Sequence, residues 1–119
     1  MVRSAERRDR QAGAFEIVLA PGAVEELRSL PGDVRSGVRD AIELHLRHEP
    51  TKVSRSRIKR LRGLERPQYR LRVGEVRVFY DVTESAVEVL AIISKAAAQA
   101  WLDQEGVATP PGGPGGSKG

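Results

Sequence analysis

The stretch 69-YRLRVGEVRVFYDV-82 decides how this chain folds. Side chains alternate across a strand with a period of two, so Tyr69, Leu71 and Val73 share one face while Arg70 and Arg72 share the other. Gly74-Glu75 reads as a two-residue hairpin loop, and that fixes the pairing: Val73 with Val76, Arg72 with Arg77, Leu71 with Val78, Arg70 with Phe79. Both apolar sets then lie on one side of the hairpin, and Arg70, Arg72 and Arg77 gather on the other. A slip of one residue would turn the arginines into the core.

This register sets two arginines directly opposite each other, which destabilises the pair by up to about 1 kcal/mol unless an anion, a carboxylate or water lies between them. Two readings follow. The cluster is solvated and offset by Glu75 in the turn and Asp81 on the same face, or it is a phosphate-binding face with Phe79 available to touch a base or ribose. Phe79 reads equally well as packing beneath the arginine stems.

Working outward, residues 50–77 carry ten basic residues against two acidic ones, a net +8, whereas the rest of the chain carries ten against fourteen, a net −4. Positive charge is thus concentrated in one segment, which points to a polyanion or an acidic partner. Lys59, Arg60 and Arg62 enter the sheet from this segment and are placed to follow a nucleic-acid backbone or simply to be solvated.

With 119 residues and 39% apolar content, the chain has material for one modest core. It lacks cysteine, which excludes disulfides and thiolate metal sites. The stretch MVRSAERRDRQAGAF has charges but no apolar run behind them, so neither a signal peptide nor a membrane anchor is read there, and a cytoplasmic location is expected. Residues 1–13 are expected to form a flexible arm and the Gly/Pro-rich residues 106–119 a disordered tail, leaving a folded domain at 14–105.

Within that domain, 14-AFEIVLA-20 alternates as a strand up to Pro21-Gly22. Val24, Leu27 and Leu30 then recur at helical spacing, Pro31-Gly32 breaks the helix, and Asp33 is the expected N-cap of a second one with Val34, Val38, Ala41, Ile42 and His45 along one side. The short connection makes a helical hairpin. Strands follow at residues 68–73, 76–82 and 86–93, and the Ala-rich 95-KAAAQAWLDQEG-106 reads as a last helix ending at Gly106. The order β-α-α-β-β-β-α predicts an α+β fold: a small, mainly antiparallel sheet with the helical hairpin on one face and a C-terminal helix. His45 and His48 stand three apart without carboxylates at metal-site spacing, so no metal site is expected.

The combination L-R-G…Y-R-L-R-V-G…R-V-F-Y, carried by 59-KRLRGLERPQYRLRVGEVRVFYDV-82 and followed by 88-EVLAII-93, resembles the RelE/ParE superfamily of bacterial toxins from type II toxin–antitoxin modules. The resemblance implies a cognate antitoxin as partner. In the RelE branch it implies a ribosome-dependent, metal- and cofactor-independent endoribonuclease that cleaves mRNA as the 2′-hydroxyl attacks the adjacent phosphate. Motif by motif it assigns catalytic roles to Arg70, Arg72, Arg77 and Lys95 and puts Trp101 where it can stack on a base; with Lys59, Arg60, Arg62 and Phe79, read above from charge and strand face, these are the expected RNA contacts. Two positions depart from the family's pattern: arginine replaces lysine on the hairpin, and Trp101 stands where a tyrosine is usual. Guanidinium binds phosphate and stabilises developing charge but is a poor general base, and indole has no titratable hydroxyl. Trp101 also reads as the hydrophobic anchor of its helix. A ParE-like inhibitor of DNA gyrase needs no proton-transfer group and is the alternative, with a toxin fold that only binds its antitoxin as the third.

Overall fold

Residues 14–110 are described by the computed structural model. In chain order they form β1 (Glu16–Leu19), α1 (Pro21–Ser29), α2 (Gly32–Ala41), a π-helical turn (Ile42–Leu46), β2 (Ile58–Arg60), β3 (Leu64–Arg66), β4 (Tyr69–Val73), β5 (Val76–Val82), β6 (Ala86–Ser94), α3 (Lys95–Glu105) and β7 (Val107–Ala108). Five strands make one sheet in the order β1-β6-β5-β4-β2, antiparallel throughout except for β1 beside β6. The fold is the expected α+β arrangement.

The β4–β5 hairpin has the register read from the sequence: Val73 faces Val76, Arg72 faces Arg77, Leu71 faces Val78 and Arg70 faces Phe79. Gly74 makes the turn possible by adopting a φ of +58°, in the left-handed region that side-chain-bearing residues avoid. Alternation then carries Leu71, Val78 and Tyr80 into the core, where they meet Ala23 and Leu27 of α1 and Val38, Ile42 and Leu46 from α2 and its π turn. On β6 a bulge at Leu90 resets the alternation, because Phe79 pairs with Ala91 but Tyr80 with Val89. Val87, Val89 and Ile92 all reach the same core face as a result.

Several details correct the sequence reading. Asp33 does not cap α2: Pro31 occupies that position, and Asp33 lies within the first turn, where its charge suits the helix dipole. Three short strands were not anticipated. β2 pairs with β4 inside the basic segment, burying Ile58, and β3 pairs with β7 in a separate two-stranded ribbon. The start of the segment expected to be disordered from residue 106 is ordered instead, since Val107–Ala108 are a strand and the Thr109 N–H donates to Gly63 O at 3.0 Å. Gly106 enables this return: a Cβ there would sit 2.6 Å from the carbonyl oxygen of Leu102. The remainder of that tail from residue 111, and the arm at 1–13, lie outside the described residues.

Tyr80 is fully buried, stacks on Tyr69 at 5.5 Å, and donates its hydroxyl to the carbonyl of Pro50 at 2.6 Å. That bond ties the basic loop to the core. Tyr80→Phe leaves the Pro50 carbonyl buried and unpaired, and the expected loss of about 1–2 kcal/mol is measurable by urea denaturation.

His45 sits on the π turn at the edge of the core. Burial, and secondly the Arg57 guanidinium, hold its pKa below the usual value. A histidine whose folded pKa is lowered binds its proton more readily when unfolded, so stability is full above the unfolded value of about 6.5 and falls as pH drops through it. His45→Asn should flatten the stability profile across that window in denaturation measured from pH 7.5 downward.

Candidate nucleic-acid interface

The outer face of the sheet, opposite the helical hairpin, carries the site. Ser94 starts α3 here: its hydroxyl oxygen accepts the Ala97 N–H at 3.2 Å, and the Lys95 N–H donates to Glu75 O in the hairpin turn at 2.7 Å. The first turn of α3 is thereby fixed beside the β4–β5 loop, with Lys95 next to the arginine strand pair. Farther along, Trp101 stacks on Phe79 with ring centroids 5.2 Å apart and planes at 12°. No residue of α3 is itself buried, so this stack and Leu102 are the main apolar attachment of the helix.

Between α3 and the strands lies an open cleft of about 330 Å³. Lys59 of β2, Arg70 of β4, Arg77 of β5 and Lys95 of α3 line it together. Cross-strand pairing explains the convergence, since Lys59 stands opposite Arg70 on adjacent strands. Among the described residues none of the four ion pairs involves Lys59, Arg70, Arg72, Arg77 or Lys95. The carboxylates expected to offset them do not. Asp81 accepts the Gln68 N–H at 2.8 Å and pairs with Arg66 at 3.3 Å, on the far side from the turn.

Each cation is held differently. Arg77 is only 7% exposed, and its Nη1 donates to the carbonyls of Gly74 and Val76 at 2.8 and 3.1 Å. It clamps the turn, a structural duty beyond the one assigned from the motif. Arg70 is half-buried, and its Nε has no hydrogen-bond partner. Burial, then Arg77, then Arg72 lower its pKa from the usual arginine value. A half-buried guanidinium among like charges with an unmatched N–H is short of an anion. Arg72 and Lys95 are exposed.

Five of the expected site residues are placed differently from the sequence reading. Arg72 is on the outer face but does not line the cleft. Arg60 falls on the opposite face, because it pairs with Tyr69; its guanidinium lies 5.1 Å from the Tyr69 ring and donates to Gln68 O. This corrects its assignment to the same surface as Lys59. Phe79, 1% exposed, offers no face to a base, and one face of Trp101 is taken by Phe79. The two aromatics expected to stack on RNA stack on each other. Arg62 lines an adjoining hollow instead. The sequence reading passed over Gln99 and Leu102, which line the cleft one and two helical turns beyond Lys95; their spacing from Lys95 was the available signal.

Among the described residues no group of three or more His, Cys, Asp and Glu is arranged to hold a metal ion, and no helix is long and apolar enough to cross a membrane. The arrangement can bind a phosphate and stabilise negative charge developing on it.

No family model matches the sequence. Comparison with curated proteins also gives no match. Solved structures do match. The RelB–RelE antitoxin–toxin complex from Methanococcus jannaschii contains a chain 20% identical, with a TM-score of 0.55 over 71% of this chain and 96% of that one. The RelE–RelB complex from Pyrococcus horikoshii OT3 gives 22% identity and a TM-score of 0.58, covering 69% and 96%. The toxin–antitoxin complex RelBE2 from Mycobacterium tuberculosis gives 22% and 0.55, covering 68% and 98%. With the helical hairpin, the sheet order and the C-terminal helix accounted for, the chain has the fold of the RelE toxins.

Proposed function

We propose that this chain is the toxin of a type II toxin–antitoxin module, acting in the cytoplasm as a ribosome-dependent mRNA endoribonuclease and neutralised by a cognate antitoxin. The observation that carries the reading is the cleft beneath α3, where Lys59, Arg70, Arg77 and Lys95 converge without a carboxylate to offset them. Three similar folds occur in complexes with RelB antitoxins, which supports the partner.

In this mechanism the phosphate lies among the cations, and Arg70 meets the charge that grows as the 2′-hydroxyl attacks. Proton transfer is the scarcer resource. The chain has two tyrosines, two histidines and no cysteine. Tyr69 and Tyr80 stack together on the core face, where burial first and the Tyr69 neighbour second push the Tyr80 pKa further up. His45 lines a separate hollow with Lys52, Ser54 and Arg57. The amines of Lys95 and Lys59 are the groups in the cleft that can carry a proton.

That scarcity favours one second reading, a ParE-like gyrase inhibitor that works by binding alone. Induced expression without antitoxin, with mRNA 5′ ends mapped and plasmid supercoiling read from the same cells, separates the two. Cuts clustered in translated frames are expected. Intact messages with altered supercoiling would transfer the protein to the gyrase reading, and unaffected growth would leave only antitoxin binding.

A further inference from the structure

α3 is attached to the rest of the protein at three points. Its first turn is pinned by the bond from Lys95 N–H to Glu75 O, its middle by the Phe79–Trp101 stack, and its end by β7, which follows directly and pairs with β3. The third attachment differs in kind from the second. Val107 and Ala108 are both exposed, so β7 adds nothing to the core, and a two-stranded ribbon without a buried face has little stability of its own. Backbone pairing is what holds it: Ala108 stands opposite Leu64, Val107 opposite Arg66, and the Thr109 N–H reaches Gly63 O.

Two glycines, one on each side, shape this ribbon. Gly63 leads into β3 with a φ of +77°, which a side chain would strain. Gly106 donates its N–H to Leu102 O at 2.8 Å, and the chain turns there so closely that a Cβ would lie 3.3 Å from Leu64 Cδ2 as well as against the Leu102 carbonyl. Leu64 and Leu102 both line a hollow of about 490 Å³ that adjoins the phosphate cleft and also holds Lys59 and Arg62. Two cations outnumber the one carboxylate there, Asp103, whose Oδ1 accepts the Gln99 amide, so the hollow continues the cationic track. Arg62 is exposed and, among the described residues, has no ion-pair partner. It stands next to Gly63 in the turn between β2 and β3, the turn that the Thr109 bond fastens to the end of α3.

We infer that the β3–β7 ribbon is a clasp that fixes the turn carrying Arg62 against α3, with Gly63 and Gly106 as positioning residues for a phosphate contact made by Arg62. The inference rests on the RNA-binding reading above and gives Val107, Ala108 and Thr109, which bury nothing and carry no charge, a part in the site. With the clasp closed, Arg62 is held where the track leaves the cleft. With it open, the turn and the end of α3 move independently and the contact loses its preorganisation.

The test uses the full chain and two variants that touch no charge, Gly106→Ala on the β7 side and Gly63→Ala on the β3 side. Hydrogen exchange read by mass spectrometry should quicken about tenfold or more in the second half of α3 and in residues 61–66, while β6 keeps its protection. Affinity for single-stranded oligouridine, read by fluorescence anisotropy, should fall about threefold to fivefold, the scale of one exposed charge contact. The slope of log affinity against log salt should become shallower by about 0.7, one phosphate. Arg62→Ala alone should do the same, and added to Gly106→Ala it should cost less than about 1.5-fold more, because the two changes remove one contact. Unchanged exchange in both glycine variants would overturn the clasp. Faster exchange with unaltered RNA affinity, or a full further loss from Arg62→Ala in the Gly106→Ala background, would overturn the positioning role and leave phosphate binding in the cleft standing. Failure of the wild-type chain to bind oligouridine would remove the RNA reading and this role with it.

Discussion

Arg70→Ala should abolish growth arrest and weaken single-stranded RNA binding by roughly ten- to a hundredfold, without destabilising the fold. The two halves of this expectation have one cause. Arg70 is half-buried, its Nε unpaired, with Arg72 and Arg77 adding repulsion. In the free protein its removal relieves a strained charge, so stability should be unchanged or slightly raised. In the complex a phosphate supplies the missing anion, and loss of a charge-assisted hydrogen bond costs about 1.5–3 kcal/mol. If the bound phosphate is also the reacting one, loss of a group that stabilises its growing charge slows the chemistry by about 10²–10³.

The salt dependence supplies a sharper signature. Each phosphate neutralised on single-stranded RNA contributes about 0.7 to the slope of log affinity against log salt, so Arg70→Ala should make the slope shallower by about that amount. Arg60→Ala removes the same formal charge from the opposite face of the sheet. It should leave slope and affinity almost unaltered. Equal effects from the two variants would mean that net charge, and not the cleft, binds RNA.

The hairpin that presents Arg70 was readable in the sequence because two independent constraints agreed on it. A two-residue Gly-containing loop fixes register, and alternation fixes which face each side chain takes. Every pair predicted from Val73/Val76 to Arg70/Phe79 is present. β2 escaped notice because strand patterning needs apolar residues to alternate, and Ile58 is the single apolar residue in the Ile58–Arg60 strand. Its strand conformation comes from the backbone of β4, whose paired residues lie nine to thirteen positions later. β7 was hidden by the Gly/Pro-rich composition around it, and the turn that returns it to β3 depends on the absence of a Cβ at Gly106.

The site was legible as a charge cluster but not as a cavity. Alternation alone predicts an outer face open to water, yet Arg77, Phe79 and Asp81 on that face of β5 are all buried. What covers Phe79 is α3, and its packing rests on a single large aromatic that propensity and periodicity could place on the helix but not against a partner. The commitment of Arg77 to the Gly74 and Val76 carbonyls is likewise a matter of side-chain conformation, invisible in spacing.

Trp101 decides whether the cleft exists, and Trp101→Ala is the second large effect to expect. α3 buries no residue completely, so the Phe79–Trp101 stack supplies most of its apolar attachment. Truncation of a well-packed tryptophan costs about 3–5 kcal/mol; the partial exposure of this one puts the expected loss nearer about 2–3 kcal/mol, and Phe79 becomes exposed as well. RNA affinity should fall along with stability, although the side chain makes no RNA contact in this account, because Lys95 and the helix wall lose their position over Arg70. Trp101→Phe separates this role from base stacking: it keeps an aromatic on Phe79 and should retain most of both stability and affinity. Trp101 is the chain's one tryptophan, so its fluorescence reports on the same question directly. Emission should remain nearly unchanged when RNA fills the cleft and shift to the red when α3 detaches in mild denaturant. Strong quenching by RNA at full occupancy would instead put a base on the indole, and α3 would then have to lift from the sheet to expose it.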